Sequence, residues 1–321
     1  IAGFIDNILA LEERTYLLKK MGRALKHRGP DGRGIWYDKI SAIGFSHTRL
    51  SINDLTPAGH QPMHSSSGRY VIIFNGEIYN FKYLKAELSK EAVHFVGQSD
   101  TEVLLEAIEK WGIQNALELA HGMFAFALYD RPEKRLYLVR DKIGEKPLYY
   151  GWLGRVFLFS SELNAMQLHP KWKVPIDRNA LANLMKYGYI PAPQTIFEGI
   201  YKLPPGRILE LEFRSNEWRQ KERIWWSFQE AFEKSRHDPF SGSTSDAVEE
   251  LDNIFRRVVR DQTTADVPVG VLLSGGLDSS TIASIASHLD KDISTFTVGS
   301  ENSEYDESNY AATVSQHLGT K

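Results

Sequence analysis

The stretch Val269-Gly-Val-Leu-Leu-Ser274-Gly-Gly-Leu-Asp278-Ser-Ser280 is the one around which the rest of the chain is organised. Val269 to Leu273 is a nearly unbroken apolar run and predicts a strand covered on both faces of a parallel sheet. Ser274, Gly275 and Gly276 then turn the backbone, and from Ser279 a helix is expected with Ile282, Ile285 and Leu289 on one face. Strand, glycine turn and helix start bring several backbone N–H groups and a helix N-terminus to one point, which attracts phosphate. Glycine suits the turn because a side chain would block the anion's approach. No lysine follows the glycines, so this is not the common nucleoside triphosphate loop. Asp278 instead stands where a carboxylate would hold Mg2+ against phosphate oxygens.

On either side of this stretch, Ser245 to Asp261 predicts a helix with Val248, Leu251, Phe255 and Val258 inward, and Ile293 to Val298 predicts a strand. The resulting strand, helix, strand unit favours a parallel sheet. Upstream, Ile190-Pro-Ala-Pro-Gln and Leu203-Pro-Pro-Gly-Arg are extended, proline-rich connections. The domain boundary is placed there, giving domains 1–192 and 193–321. Ile208 to Phe213 predicts one more strand, and Asn216 to Gly242 reads as polar and irregular.

Before the boundary, strands are expected at Ile1 to Ile5, Ile35 to Tyr37, Ile43 to Ile52, Tyr70 to Phe74, Met123 to Tyr129, Arg135 to Val139, Pro147 to Trp152 and Val156 to Ser160. Leu11 to Leu25 predicts a helix that buries Leu18, Met21 and Leu25. A second helix begins at Ser99, where Ser99 and Glu102 form a capping box ahead of an apolar stripe. Strands at this density, with helices between groups of them, predict antiparallel sheets layered with helices.

At 321 residues the chain exceeds the usual size of one domain, and its net charge of -3 gives no sign of a nucleic-acid or anionic-membrane partner. No apolar run reaches bilayer length, and a cytoplasmic location is expected. With no cysteine in these residues, thiol nucleophiles, thiolate metal sites and disulfides have no side chain to use.

Polar residues recur at the predicted ends of elements. A free amino acid carries a carboxylate and an ammonium, so its pocket needs a cation such as Arg49 and anions such as Glu77 and Asp100. The Asn75 side chain and the Gly76 N–H would donate to an oxyanion during attack on an amide carbonyl. Taken singly, each residue also has a structural explanation. Asn-Gly is the commonest hairpin turn, Asp100 suits a helix N-terminus, and Arg49 suits a strand surface. Spacing alone does not decide between them.

Ile1-Ala-Gly-Phe, His27-Arg-Gly-Pro-Asp, Arg49-Leu-Ser-Ile, Phe74-Asn-Gly-Glu-Ile-Tyr-Asn, Ser99-Asp-Thr-Glu, Arg140-Asp and Ser160-Ser-Glu resemble the class II glutamine amidotransferase domain. The proline connections, Asp266-Val-Pro-Val-Gly and the Ser274 loop resemble the start of an ATP-pyrophosphatase-type synthetase domain. In this order they resemble the glutamine-hydrolysing asparagine synthetase family over essentially the whole chain. The resemblance implies an N-terminal-nucleophile hydrolase sandwich, α/β and α+β in class, followed by an incomplete parallel-sheet domain. It implies glutamine held by Arg49, Asn75, Glu77 and Asp100, with Asn75 and Gly76 as the oxyanion hole. It also implies ATP and Mg2+ at Ser274, Gly275, Gly276, Asp278, Ser279 and Ser280, with Leu272 and Val298 at the nucleoside. Aspartate, or another carboxylate, would be the acceptor, and a homodimer is compatible with the family.

In that family the mature chain starts Cys-Gly and continues as Ile1 does here, so the nucleophile is expected two residues before Ile1. The later synthetase motifs are expected beyond Lys321, and the 321 residues alone are expected to be inactive. Two further readings stand beside this one. The first is a relative that amidates another carboxyl group, and the second is a binding protein that has lost its nucleophile.

Overall fold

The structure is a computed structural model and describes residues 1–321 apart from 216, 301 and 303–305. It divides into two compact units, Ile1–Lys234 and Ser235–Lys321.

In the first unit, the described residues form two six-stranded antiparallel sheets. One has the order β10-β8-β9-β1-β3-β2, from β1 (Ala2–Ile5), β2 (Gly32–Asp38), β3 (Ile43–Arg49), β8 (Tyr149–Leu153), β9 (Val156–Ser160) and β10 (Ile200–Lys202). The other runs β12-β11-β7-β6-β5-β4, from β4 (Met63–His64), β5 (Tyr70–Ile78), β6 (Gly122–Asp130), β7 (Arg135–Arg140), β11 (Arg207–Arg214) and β12 (Glu217–Ile224). Three apolar layers hold the unit together. Ile43, Phe45, Val71, Ile73 and Phe159 pack between the sheets. Leu18 and Met21 of α1 (Leu11–Ala24) pack on the outer face of the first sheet, with Phe4 and Leu158. Leu84 of α2 (Phe81–Lys90) and Leu104 and Ile108 of α3 (Asp100–Leu119) pack on the second sheet, with Phe74 and Phe126. Strand residues alternate between layers because successive side chains point to opposite faces. The result is the expected helix, sheet, sheet, helix sandwich.

Three expectations change here. The boundary at 192/193 falls inside this unit, because the chain beyond the prolines returns to both sheets. β10 pairs with β8, and β11 pairs with β7 through Ile208↔Val139 to Glu212↔Arg135. The stretch expected to be irregular holds β12 and α6 (Phe228–His237), although its first residue, 216, lies outside the described residues. β12 is a largely exposed edge strand, so no apolar alternation marks it. At α3 the Ser99 side chain accepts from Thr101 N–H, but Glu102 turns back to accept from Val96 N and Gly97 N at 2.6 and 2.8 Å. The capping box gives way to a tie across the preceding loop.

The second unit contains α7 (Thr244–Gln262), β13 (Gly270–Leu272), α8 (Leu277–Leu289), β14 (Ser294–Phe296) and α9 (Ser308–Leu318). β13 and β14 are parallel, with Val271 opposite Thr295, as expected. Val259, Val271, Leu273, Ala283, Ile285 and Ile293 form its core. Val248, Leu251, Phe255 and Val258 were expected inward and are exposed, Val248 by 63%. A 19-residue helix is about 28 Å long and outruns strands of three residues, so most of its apolar stripe finds no cover in this unit. Leu272 is likewise exposed, so one face of its strand is uncovered, and α8 starts two residues earlier than expected.

Candidate active site

Two facing strands change character along one face. On β3, Ile43 and Phe45 lie in the core between the sheets, and the next residues on that face are His47 and Arg49. On β5, Val71 and Ile73 lie in the same core and are followed by Asn75 and Glu77. All four polar residues line a cavity of ≈ 190 Å³, together with Gly76 and Asp100. A period of two carries both strands from apolar interior to polar pocket at the same end of the sandwich.

The backbone of β5 adds a second set of donors. Gly76 stands opposite Phe124 on β6, whose N–H and C=O turn instead to Asp141. Phe74, Gly76 and Ile78 therefore belong to the pairs that exchange no hydrogen bonds, and their N–H groups face away from β6. Gln61 Oε1 takes the Phe74 N–H at 2.6 Å, and Asp100 Oδ2 takes that of Ile78 at 2.9 Å. The Gly76 N–H lies between these two and faces the same side. Glycine is required at this position, since a Cβ would come within 2.1 Å of the Met123 carbonyl oxygen. Asn75 Nδ2 is buried, and no hydrogen-bond partner meets it among the described residues. An unpartnered buried donor costs stability unless a ligand meets it.

Charge in the cavity is mixed. His47 is fully buried, and desolvation pushes its imidazole down to about 3, so the ring is neutral and Nε2–H donates to the Phe74 carbonyl at 3.0 Å. Asp100 is pushed up to about 6 by burial, against the pull of the Ile78 and Thr101 N–H groups. Burial raises Glu77 as well, and Lys146 lowers it. Arg49 lines the cavity but also organises a loop, donating Nη1 to Thr56 O at 2.9 Å and Nη2 to Asn53 O and Asp54 O. Those bonds occupy both terminal nitrogens, leaving less of the guanidinium fork for a ligand than its sequence position suggests.

The start of the chain lies beside this cavity. Ile1 is buried between the sheets, its nitrogen donates to Ser161 Oγ at 3.2 Å, and its carbonyl accepts from Ser161 N at 2.9 Å. Arg28 also lines the cavity. Glu162 holds His27 Nε2 at 2.9 Å and Arg28 Nη1 at 3.1 Å.

All five of the residues expected at the amidotransferase site, Arg49, Asn75, Gly76, Glu77 and Asp100, thus line one cavity. Sequence reasoning missed His47, Gln61 and Lys146 as site residues. His47 and Gln61 lie in the right stretches, but their roles are contacts across the sandwich that no local pattern encodes.

In the second unit, Ser274 to Gly276 turn between β13 and α8. Gly275 has φ +81°, and a Cβ there would press on Tyr310 at 2.6 Å. Ser274 Oγ and Ser279 Oγ are 3.0 Å apart, and Ser279 Oγ donates to Gly276 O at 3.2 Å. Ser280 Oγ is buried without a partner among the described residues. Asp278 is exposed in the first turn of α8. Leu272 and Val298, on and just beyond the two parallel strands, are 76% and 86% exposed. Among the described residues no group of three or more His, Asp or Glu is placed to hold a metal ion. A single carboxylate beside a hydroxyl- and amide-lined turn fits an Mg2+ that arrives with phosphate oxygens and keeps its waters.

A family model described as "glutamine amidotransferase domain" matches residues 1–226, and one described as "asparagine synthase" matches residues 250–321. The chain belongs to the glutamine amidotransferase family, built on the N-terminal-nucleophile hydrolase fold. More narrowly, its two matched regions in this order are those of the glutamine-hydrolysing asparagine synthetases. Asparagine synthetase (glutamine-hydrolyzing) 3 of Bacillus subtilis (strain 168) is 35% identical over 297 residues, 91% of this chain and 46% of that protein. Amidase chry2 of Gibberella zeae is 36% identical over 272 residues, 83% of this chain and 38% of its own length. The chain spans about half the length of the first and less of the second. The glutamine phosphoribosylpyrophosphate amidotransferase structure from B. subtilis, complexed with ADP and GMP, superposes with a TM-score of 0.50 at 17% identity. That superposition covers 94% of this chain and 66% of the other, and the likeness is one of fold.

Proposed function

We propose that this chain is part of an ATP-dependent ligase that releases ammonia from glutamine and joins it to aspartate, giving asparagine, glutamate, AMP and pyrophosphate. The unpartnered Asn75 Nδ2 beside the Gly76 N–H carries this reading. When a nucleophile adds to the glutamine amide, the carbonyl oxygen becomes an oxyanion, and two donors meeting at that point would stabilise it without rearranging. Glu77 and Asp100 would take the substrate ammonium, and Arg49 with its neighbours the carboxylate. The nucleophile in this proposal is a cysteine two positions before Ile1. Ile1 itself has neither hydroxyl nor thiol.

In the second unit, Ser274, Gly275, Gly276, Ser279 and Ser280 would cradle phosphate through hydroxyls and N–H groups, and Asp278 would hold Mg2+. Mg2+ would supply neutralisation of phosphate charge. Leu272 and Val298, both exposed, would meet a nucleoside through their backbone groups. A cytoplasmic setting and a homodimer belong to the same proposal, and among the described residues no helix is long and apolar enough to cross a membrane.

Supplying Cys-Gly ahead of Ile1 is expected to produce glutaminase activity, measured as glutamate and ammonia release, and Asn75→Ala to reduce its kcat roughly 10²- to 10³-fold. An extended protein with no glutaminase activity, or one indifferent to Asn75→Ala, would defeat the proposal. A second reading, supported by the 36% identity to an amidase, is that another carboxylate replaces aspartate. Pyrophosphate release by the full-length protein, with and without aspartate, separates the two. A purely binding role fits less well, since unpartnered polar groups in a pocket are costly without a ligand.

A further inference from the structure

We infer that Gln61 is a positioning residue for the Gly76 N–H. Its side-chain amide replaces the strand partner that β5 lacks at Phe74 and ties that point to the start of α3, leaving the Gly76 N–H open to a substrate oxygen. The inference deepens the proposed function and rests on it.

The edge of β5 changes partner along its length. β4 pairs with its first half, Met63 opposite Ile72 and His64 opposite Val71. The same register carried further would set Pro62 opposite Ile73 and Gln61 opposite Phe74. Pro62 has no N–H with which to continue a ladder, and Gln61 meets the strand through its side chain instead. Gln61 Oε1 accepts the Phe74 N–H at 2.6 Å, which fixes the oxygen end of the amide, and Nε2 then donates to Thr101 Oγ1 at 3.2 Å. Gln61 and Thr101 are both buried, so water does not compete for these bonds.

Thr101 follows Asp100, whose Oδ2 accepts the Ile78 N–H at 2.9 Å and whose Oδ1 accepts the Thr101 N–H at 2.8 Å. The first turn of α3 therefore holds β5 at two points, through Gln61 at Phe74 and directly at Ile78. Four residues of strand span about 13 Å, and Gly76 lies midway between the two points. Its N–H faces the same edge as theirs and has no hydrogen-bond partner among the described residues. From the other sheet, His47 Nε2 holds the Phe74 carbonyl at 3.0 Å, so both polar groups of the Phe74 backbone are fixed two residues before Gly76. Glycine has no side chain to steady its own peptide plane, and the direction of its N–H depends on such ties on either side. An oxyanion donor is most effective when its direction is set before the reaction.

The test has two arms, each on protein checked for a native thermal melt. In the chain as it stands, Gln61→Met keeps the side chain's length and removes the acceptor. It is expected to speed amide hydrogen exchange at Phe74 roughly tenfold, with little change at Val71, which pairs with Tyr129 on β6. Unchanged exchange at Phe74 overturns the inference. The second arm measures glutamine kinetics in the Cys-Gly-extended protein. Gln61→Met is expected to lower kcat roughly tenfold with KM little changed, and Thr101→Val, which removes only the anchor of the Gln61 amide, to lower kcat roughly threefold. A residue that served stability alone would lower the melting temperature and leave kcat where it was, and that result overturns the inference. Should Gln61→Met fail to fold, Thr101→Val decides, an unchanged kcat overturning the inference. A wild-type extended protein without glutaminase activity would defeat the proposed function and with it this role for Gln61. An active wild type indifferent to both substitutions defeats the inference alone.

Discussion

His47 Nε2 lies 3.0 Å from the carbonyl oxygen of Phe74, joining β3 of one sheet to β5 of the other where the apolar interior meets the cavity. The bond fixes the spacing of the two strands that carry Arg49, Asn75 and Glu77. His47→Ala leaves the carbonyl unpaired in a buried place and is expected to cost about 1–3 kcal/mol in denaturant unfolding at neutral pH. A loss below a few tenths would mean that the sheets are aligned without this contact.

The pH dependence of stability has two opposing parts. His47 takes a proton near 6.5 when unfolded but only near 3 when folded, so its contribution is complete above pH 6.5 and is lost as the pH falls toward 3. Asp100 is raised from 3.8 to about 6, so its contribution is complete below pH 3.8 and is lost as the pH rises through 6. Each slope is about 1.4 kcal/mol per pH unit within its window. Between pH 3.8 and 6 they oppose each other. Asp100→Asn is expected to gain stability relative to wild type between pH 4 and pH 8, by about 3 kcal/mol, while weakening glutamine binding. Unfolding curves at the two pH values that differ by a constant amount would reject the assignment.

Asn75 combines loss of activity with retained stability. Its Nδ2 has no partner to lose, so Asn75→Ala should leave the melting temperature unchanged or raise it slightly while removing most glutaminase activity from the extended protein. A melting point lowered by several degrees would show that the amide is structural.

Arg49 serves a loop and a pocket together. Arg49→Ala is expected to raise the glutamine KM and to loosen residues 53–56, visible as faster amide exchange there. Unchanged kinetics with faster exchange would confine Arg49 to the loop.

Asp278 is tested in the full-length protein, where Asp278→Asn should abolish pyrophosphate release from ATP without altering glutaminase activity. Normal release would remove the carboxylate from metal binding.

Much of this molecule can be read from local patterns. Alternation along Ile43–Arg49, the apolar run Tyr70–Phe74, the Asn75-Gly76 pair and the glycine turn at Ser274 depend on residues near one another in the chain, so the amino-acid sequence alone determines the sheets, the candidate oxyanion donors and the phosphate-type turn. What lay beyond it was long-range. The prolines near 192 look like a boundary until β10 and β11 are seen to pair with β8 and β7, and Glu102 looks like half of a capping box until it reaches Val96. Lys146 carries no signal of its own, because its place in the cavity depends on Asp141, Arg140 and the strand opposite. Hydrogen bonds between residues far apart in the chain form only once the sandwich has closed, and tertiary structure alone decides which polar groups meet in the cavity and which are left without partners.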